Sequence, residues 1–228
     1  ILDVSRWQGR IDWDKVKTSG LVSGVMIRAM GNSAEGKPSK PYIDPYFARN
    51  YAECTRLGIP VGVYGYFKAT TKAQADRELA LFKQALGGKT FQLPVAVDIE
   101  DTLQAALSKS ALTDIVAHCL SVVESWGVYA MLYTGLNFGQ TNLYMGGAAL
   151  QPYDVWLGGG LPHQEARPRL ALRHVAVHPQ RKDSRHCHRR RPERGLQGLC
   201  CHHPAGRAGA DQGVRPMETI LAAVITGG

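Results

Sequence analysis

Leu93-Pro94-Val95-Ala96-Val97-Asp98-Ile99-Glu100 carries an apolar strand straight into two carboxylates. Side chains two apart on a strand share a face, so Asp98 and Glu100 point together while Ile99 points away. Their Cα atoms then stand only about 6.6 Å apart. Two acids that close repel when both are ionised, which raises the pKa of one of them. A protonated carboxyl beside an ionised one is the working state of an acid–base pair at neutral pH. A bare Asp-x-Glu, however, is more often an ordinary strand end with two solvated acids ahead of a helix, so the surrounding chain has to decide.

Outward from that strand, residues 1–157 alternate short apolar runs with amphipathic stretches, the pattern of an α/β fold built as a β/α layer or barrel. Residues 1–4, 24–29, 60–67, 93–99 and 128–133 read as strands, and 153–156 begin another. Residues 12–17, 46–57, 74–86 and 111–126 read as helices, and Gly58-Ile59-Pro60, Gly87-Gly88 and Gly127 close the last three. A Gly/Ser/Pro/Lys-rich loop occupies residues 31–41. In such architectures sites assemble at the C-terminal strand ends. Ile1-Leu2-Asp3-Val4-Ser5 repeats the arrangement at the first strand, so Asp3 can converge with Asp98 and Glu100 on one pocket. Taken alone, Asp3 is as readily a turn or cap residue.

The 228 residues suit one large domain with a substantial core. No apolar run approaches the ~18–20 residues of a membrane span, and no secretory leader is visible because Ile1 already opens a strand. Five cysteines do not make a disulfide framework in a chain this long. Cys54 and Cys119 read as small buried hydrophobes, and His118 as a helix-face histidine. The net charge of +8 is local: residues 1–157 hold 15 Lys and Arg against 14 Asp and Glu, and residues 158–228 hold 12 against 5. A general nucleic-acid or anionic-surface partner therefore does not follow from it.

Four segments in chain order carry a family likeness. Asp3-Val4-Ser5-Arg6-Trp7-Gln8-Gly9 resembles the opening D-(I/V)-S-x-(W/Y)-Q-G of the glycoside hydrolase family 25 lysozymes. Gly58-Ile59-Pro60-Val61-Gly62-Val63-Tyr64-Gly65-Tyr66 is similar to their G-(I/L)-x-x-G-x-Y-x-(F/Y). Leu93 through Glu100 resembles L-P-x-x-x-D-x-E, and Leu132-Tyr133-Thr134 the later Y-(S/T). The resemblance covers essentially residues 1–157. It implies a flattened β/α barrel finished by antiparallel strands, and a muramidase cleaving the β-1,4 bond between N-acetylmuramic acid and N-acetylglucosamine. Such hydrolysis uses one carboxyl to protonate the leaving oxygen and another to support positive charge at the anomeric carbon. Carried over by position, Glu100 is the acid. Asp98 orients it or the substrate, or stabilises the cation, and Asp3 completes the acidic floor. The spacing is compatible with both retention and inversion. Tyr64, Tyr66 and Tyr133 can stack on sugar rings or bond the acetamido group, with core packing the alternative for each. Trp7 and Trp156 can edge the groove, although burial is the commoner fate of tryptophan. The expected partner is the peptidoglycan glycan strand, outside the cell or in the wall. The enzyme is expected to be a monomer with no cofactor, no metal, no nucleic acid and no membrane partner.

All eighteen aromatics lie before Gly158, whereas seven of the eight histidines and eleven arginines follow Leu157. Such a segment has little with which to build a core. It is read as a one-base frameshift near Leu157, dividing the chain into a catalytic part, 1–157, and an out-of-frame part, 158–228. Removing one base from a back-translation restores, without a stop, segments GMWQY and DVDLN that resemble the family's late strand motifs. The late D-x-D-x-N region supplies a further acid in the family. Its loss makes a catalytically impaired, glycan-binding barrel fragment the alternative reading, and the barrel is expected to be incomplete at its C-terminal strands. His186-Cys187-His188 and Cys200-Cys201-His202-His203 match no standard zinc spacing. The Arg189-Arg190-Arg191 run lacks the aromatic interleaving of a specific nucleic-acid binder.

Overall fold

The computed structural model describes residues 1–158. The expected frame change, the closing antiparallel strands, the arginine run and the His/Cys groups all fall on residues outside the described ones.

Seven strands form one sheet: β1 (Leu2–Val4), β2 (Val25–Gly31), β3 (Tyr42–Ile43), β4 (Val61–Phe67), β5 (Val95–Ile99), β6 (Ala130–Gly135) and β7 (Asp154–Gly158). Their order is β1-β2-β4-β5-β6-β7, every neighbour on that path parallel, with β3 antiparallel on β2. Helices α1 (Trp13–Thr18), α2 (Phe47–Arg56), α3 (Lys72–Leu86), α4 (Lys109–Glu124) and α5 (Leu136–Asn142) make the crossovers. Parallel neighbours require such crossovers, so the alternation read in the sequence is the topology itself. Local chemistry marks the helix ends. Asp12, Thr71 and Ser108 each accept a backbone N–H at the start of α1, α3 and α4. Gly87 closes α3 with φ +46°, a conformation that disfavours a Cβ.

Period-two alternation divides the strands cleanly between two environments. Val25, Ile27, Val61, Val63, Val95, Val97, Ile99 and Leu132 face the helices and join Phe82, Leu112, Val116 and Leu120 in the main core. The other face holds a thin apolar layer of Met26, Ala96 and Met131, flanked by Ile1, Leu93, Tyr64, Tyr133 and Trp156. Gly62 belongs to this inner layer, where a methyl group would collide with Met26 Sδ and the Pro94 carbonyl oxygen. Gly62→Ala is therefore expected to destabilise the fold by about 1–3 kcal/mol through overpacking. The denaturant midpoint measures it; a change below about 0.5 kcal/mol would mean that Met26 simply moves aside.

A flat path of six strands at about 4.8 Å spacing would hold β1 and β7 about 24 Å apart. Residues of both nevertheless line one small cleft. The sheet is curled, as in the larger part of a β/α barrel. Among the described residues β7 is an edge, with Leu157 exposed on it. No helix among the described residues is long and apolar enough to cross a membrane.

Candidate active site

The cleft lies at the C-terminal ends of the parallel strands. Asp3 reaches it from β1, Arg28 from β2, Tyr64 and Tyr66 from β4, Asp98 and Glu100 from the end of β5, Tyr133 from β6 and Trp156 from β7. Ser5 and Trp7 complete the wall around about 220 Å³. All seven residues singled out in the sequence as catalytic or substrate-binding are in this one cleft, and so is Trp7. Register explains the convergence. Tyr66, Asp98, Tyr133 and Trp156 are successive partners across β4, β5, β6 and β7, so they form a lateral row on the inner face. Arg28 pairs with Tyr64 one turn of the pleat deeper.

Burial dominates the electrostatics. Asp98 is 5% exposed, and its Oδ1 has no hydrogen-bond partner. Loss of hydration pushes its pKa well above the usual carboxylate range, the charges of Glu100 and Asp3 push further, and Arg28 opposes them. Glu100 is partly open to the cleft; burial raises its pKa, as do the charges of Glu35 and Asp3. Asp3 is raised by burial too, against a hydrogen bond from the Tyr64 hydroxyl and the attraction of Arg28. The site thus holds three carboxyls that each retain a proton to higher pH than a free acid. Arg28 cannot discharge them fully, because its Nε and Nη2 both lie 2.8 Å from Asp44 Oδ2.

The aromatic wall has its own geometry. Tyr133 and Trp156 meet edge-to-face with centroids 4.8 Å apart, a fixed apolar corner beside the acids. Tyr64 gives its hydroxyl to Asp3, and Tyr66 donates to Asp101 Oδ2 at 2.9 Å. Both phenols are therefore already engaged. Trp7 is 73% exposed, with the Arg6 guanidinium stacked 4.7 Å from its ring centroid, and Arg6 also caps Tyr42 at 4.9 Å. Among the described residues no group of three or more His, Cys, Asp or Glu side chains is arranged to hold a metal ion.

Arg28, Asp101 and Lys68 are the site's neighbours that sequence reasoning missed. The signal for Arg28 was present: one charge in the otherwise apolar run Val25-Met26-Ile27-Arg28-Ala29-Met30.

An acid-rich, aromatic-walled cleft at the strand ends of a curled parallel sheet is the setting in which comparison with other proteins becomes informative. The profile of the glycosyl hydrolases family 25 matches residues 2–164. The chain belongs to that family. Its curled sheet and flanking helices are the family 25 lysozyme fold. Among curated relatives, the uncharacterized protein YegX of Escherichia coli K12 is 33% identical over 144 residues, 62% of this chain and 50% of its own. Lysozyme M1 of Streptomyces globisporus is 30% identical over 112 residues, 46% of this chain and 34% of its own. The chain thus matches half the length of YegX and about a third of Lysozyme M1. Among solved structures, the spore cortex lytic enzyme SleM of Clostridium perfringens superposes with a TM-score of 0.58 at 24% identity. That match covers 68% of this chain and 51% of SleM.

Proposed function

We propose that this family 25 chain is a muramidase, cleaving the β-1,4 bond between N-acetylmuramic acid and N-acetylglucosamine in cell-wall peptidoglycan. The observation that carries the reading is the convergence of Asp3, Asp98 and Glu100 from two strand ends into one aromatic-walled cleft. Lysozyme M1 and SleM, both named for lytic activity, support it.

Glu100 is the general acid. Its raised pKa keeps a proton available, and its partial exposure lets it reach a glycosidic oxygen. As the anomeric C–O bond breaks, that proton passes to the leaving oxygen; water then adds its hydroxyl to the anomeric carbon, and its other proton returns the Glu100 carboxylate to the neutral acid. Asp98, buried in the floor, faces the positive charge that develops there. Burial favours a proton on Asp98 even more than on Glu100, so the ionised Asp98 that the reaction needs depends on Glu100 staying neutral and on the attraction of Arg28. Asp3, held by Tyr64, completes the negative floor. Tyr133 and Trp156 offer the apolar corner for a sugar face, and the exposed Trp7 offers a second aromatic surface on the same cleft. The enzyme works as a monomer outside the membrane, on glycan strands of the wall.

A second reading concerns the chain after Leu157. The family match stops at residue 164, and β7 is left as an edge among the described residues. We propose that residues 158–228 are read out of frame and that restoring the frame restores segments resembling the family's late strand motifs, with their acids. Exposed apolar edges make a chain prone to association. The 228-residue chain is therefore expected to clear peptidoglycan suspensions slowly, and the frame-restored chain rapidly, both releasing N-acetylmuramic acid at the new reducing end. New ends that carry N-acetylglucosamine would overturn the bond assignment. Equal clearing by both chains, or uninterrupted coding DNA whose tail recurs in relatives, would overturn the frame reading.

A further inference from the structure

Immediately after β4, Lys68 is a lysine with a side-chain exposure of 0%, and its partner Asp101 is equally enclosed. The ammonium lies 3.1 Å from Asp101 Oδ2 and donates to the Ala34 and Lys37 carbonyl oxygens at 2.6 Å each and to Ser33 Oγ at 3.2 Å. Three of its four partners belong to the 31–41 loop that links β2 to β3. Asp101, the residue after Glu100, gathers the other side. Its Oδ2 accepts from the Tyr66 hydroxyl at 2.9 Å and from the Gly36 N–H at 3.3 Å, and its Oδ1 from the Leu103 N–H at 2.9 Å. One buried ion pair therefore ties together the ends of β4 and β5, a wall tyrosine of the cleft and a loop.

A buried pair of this kind is a poor source of stability, because apolar residues of like volume do as well. What it does supply is a fixed geometry at low tolerance. The loop it holds carries Glu35, whose charge acts on Glu100. A second set of bonds holds the same loop from the other side. Glu78 of α3 accepts from Asn32 Nδ2 at 3.0 Å and from the Ser39 hydroxyl, and its Oε2 accepts from the Lys68 N–H at 3.0 Å. The loop is clamped at both ends, and Lys68 belongs to both clamps.

We propose that Lys68 and Asp101 are positioning residues: a buried strut that sets where Glu100 and Tyr66 stand and holds the 31–41 loop at the rim of the cleft. The proposal rests on the muramidase reading for its kinetic consequences, and on geometry alone for its structural ones. A displacement of about 1 Å at a reacting group is enough to lower turnover by up to about 100-fold.

The test uses the full chain carrying both Lys68→Met and Asp101→Asn, which removes the strut without leaving one buried charge unpaired. The double variant is expected to melt cooperatively, to lose about tenfold or more in kcat on soluble glycan fragments, and to change KM by less than about threefold. Its pH–rate profile should also shift on the limb governed by Glu100. A cooperative melt with parental kcat and pH profile overturns the proposal. Should the double variant fail to fold, Asp101→Asn alone, which keeps the oxygen that Leu103 uses, is assayed with the same two outcomes. Should the parent turn over no glycan, the strut is read by amide hydrogen exchange; the muramidase reading itself fails only if the frame-restored chain is equally inactive. Gly36 is then expected to exchange about tenfold faster or more in the variant, and unchanged exchange overturns the strut.

Discussion

Glu100→Gln is expected to lower kcat on peptidoglycan fragments by about 10³-fold, the typical loss on removal of a general acid, with KM within a few-fold of the parent. Glutamine reproduces the shape of the side chain and its place after β5, but it has no proton to give the leaving oxygen. Because the carboxyl is already biased toward its neutral form by burial and by Glu35 and Asp3, the neutral amide fits the folded site without penalty. The variant should therefore keep its melting temperature while losing turnover. The measurement is initial-rate kinetics alongside a thermal melt. Parental turnover by a folded Glu100→Gln protein would take the acid role away from this residue.

Asp98→Asn is expected to do two things at once: to abolish most turnover and to make the protein more stable. The stability gain follows from the buried carboxyl's linkage to pH. Below the ordinary aspartate value of 3.8 the folded and unfolded chains both hold this proton, and Asp98 makes no pH-dependent contribution. As pH rises past that value the unfolded chain releases the proton freely, while the folded chain keeps it, so stability declines until the raised folded value is passed. Asparagine does not ionise and lacks this slope. The variant should match the parent in acid and exceed it by about 1–3 kcal/mol at neutral pH, the scale set by ionising a buried carboxyl whose Oδ1 no donor satisfies. For a chain of this size that is about 2–4 °C in melting temperature per kcal/mol. A site that gains stability when its function is removed is one that folding alone would not have chosen. Melts of both proteins across the acid-to-neutral range check the sign. A parent that gains stability relative to Asp98→Asn as pH rises would contradict it.

How much of this was readable from the residues depends on how local the information is. Six strands, four helices and the seven cleft residues were legible, because alternation in strands such as Val95–Ile99 and stop signals such as Gly87-Gly88 are written over a few neighbouring positions. The strand limits moved by one or two residues, as at 24–29 against Val25–Gly31, since a terminal residue joins a strand only if a partner is in register. α5 was not legible. Leu136-Asn137-Phe138-Gly139-Gln140-Thr141-Asn142 has poor helix formers and a central glycine, and packing decides it: Gly139 is buried against Thr134 and Met145. Two-residue β3 carries too short a signal to read. Lys68 and Asp101 were invisible for another reason. A lone lysine after a strand is ordinarily solvated, and nothing nearby in sequence announces that a loop thirty positions earlier will close over it.

The order of strands in the sheet has a consequence for how the chain is made. Every strand on the path from β1 to β7, apart from the short β3 excursion, lies beside the next one synthesised. Each strand therefore finds its partner one crossover back along the chain, and the sheet can grow by accretion as the polypeptide leaves the ribosome. Asp3, Asp98 and Glu100 are all in place before β6 emerges. On the proposed frame reading the chain changes only after these three acids have been synthesised, and what it loses is the family's late acid and the segments that follow β7.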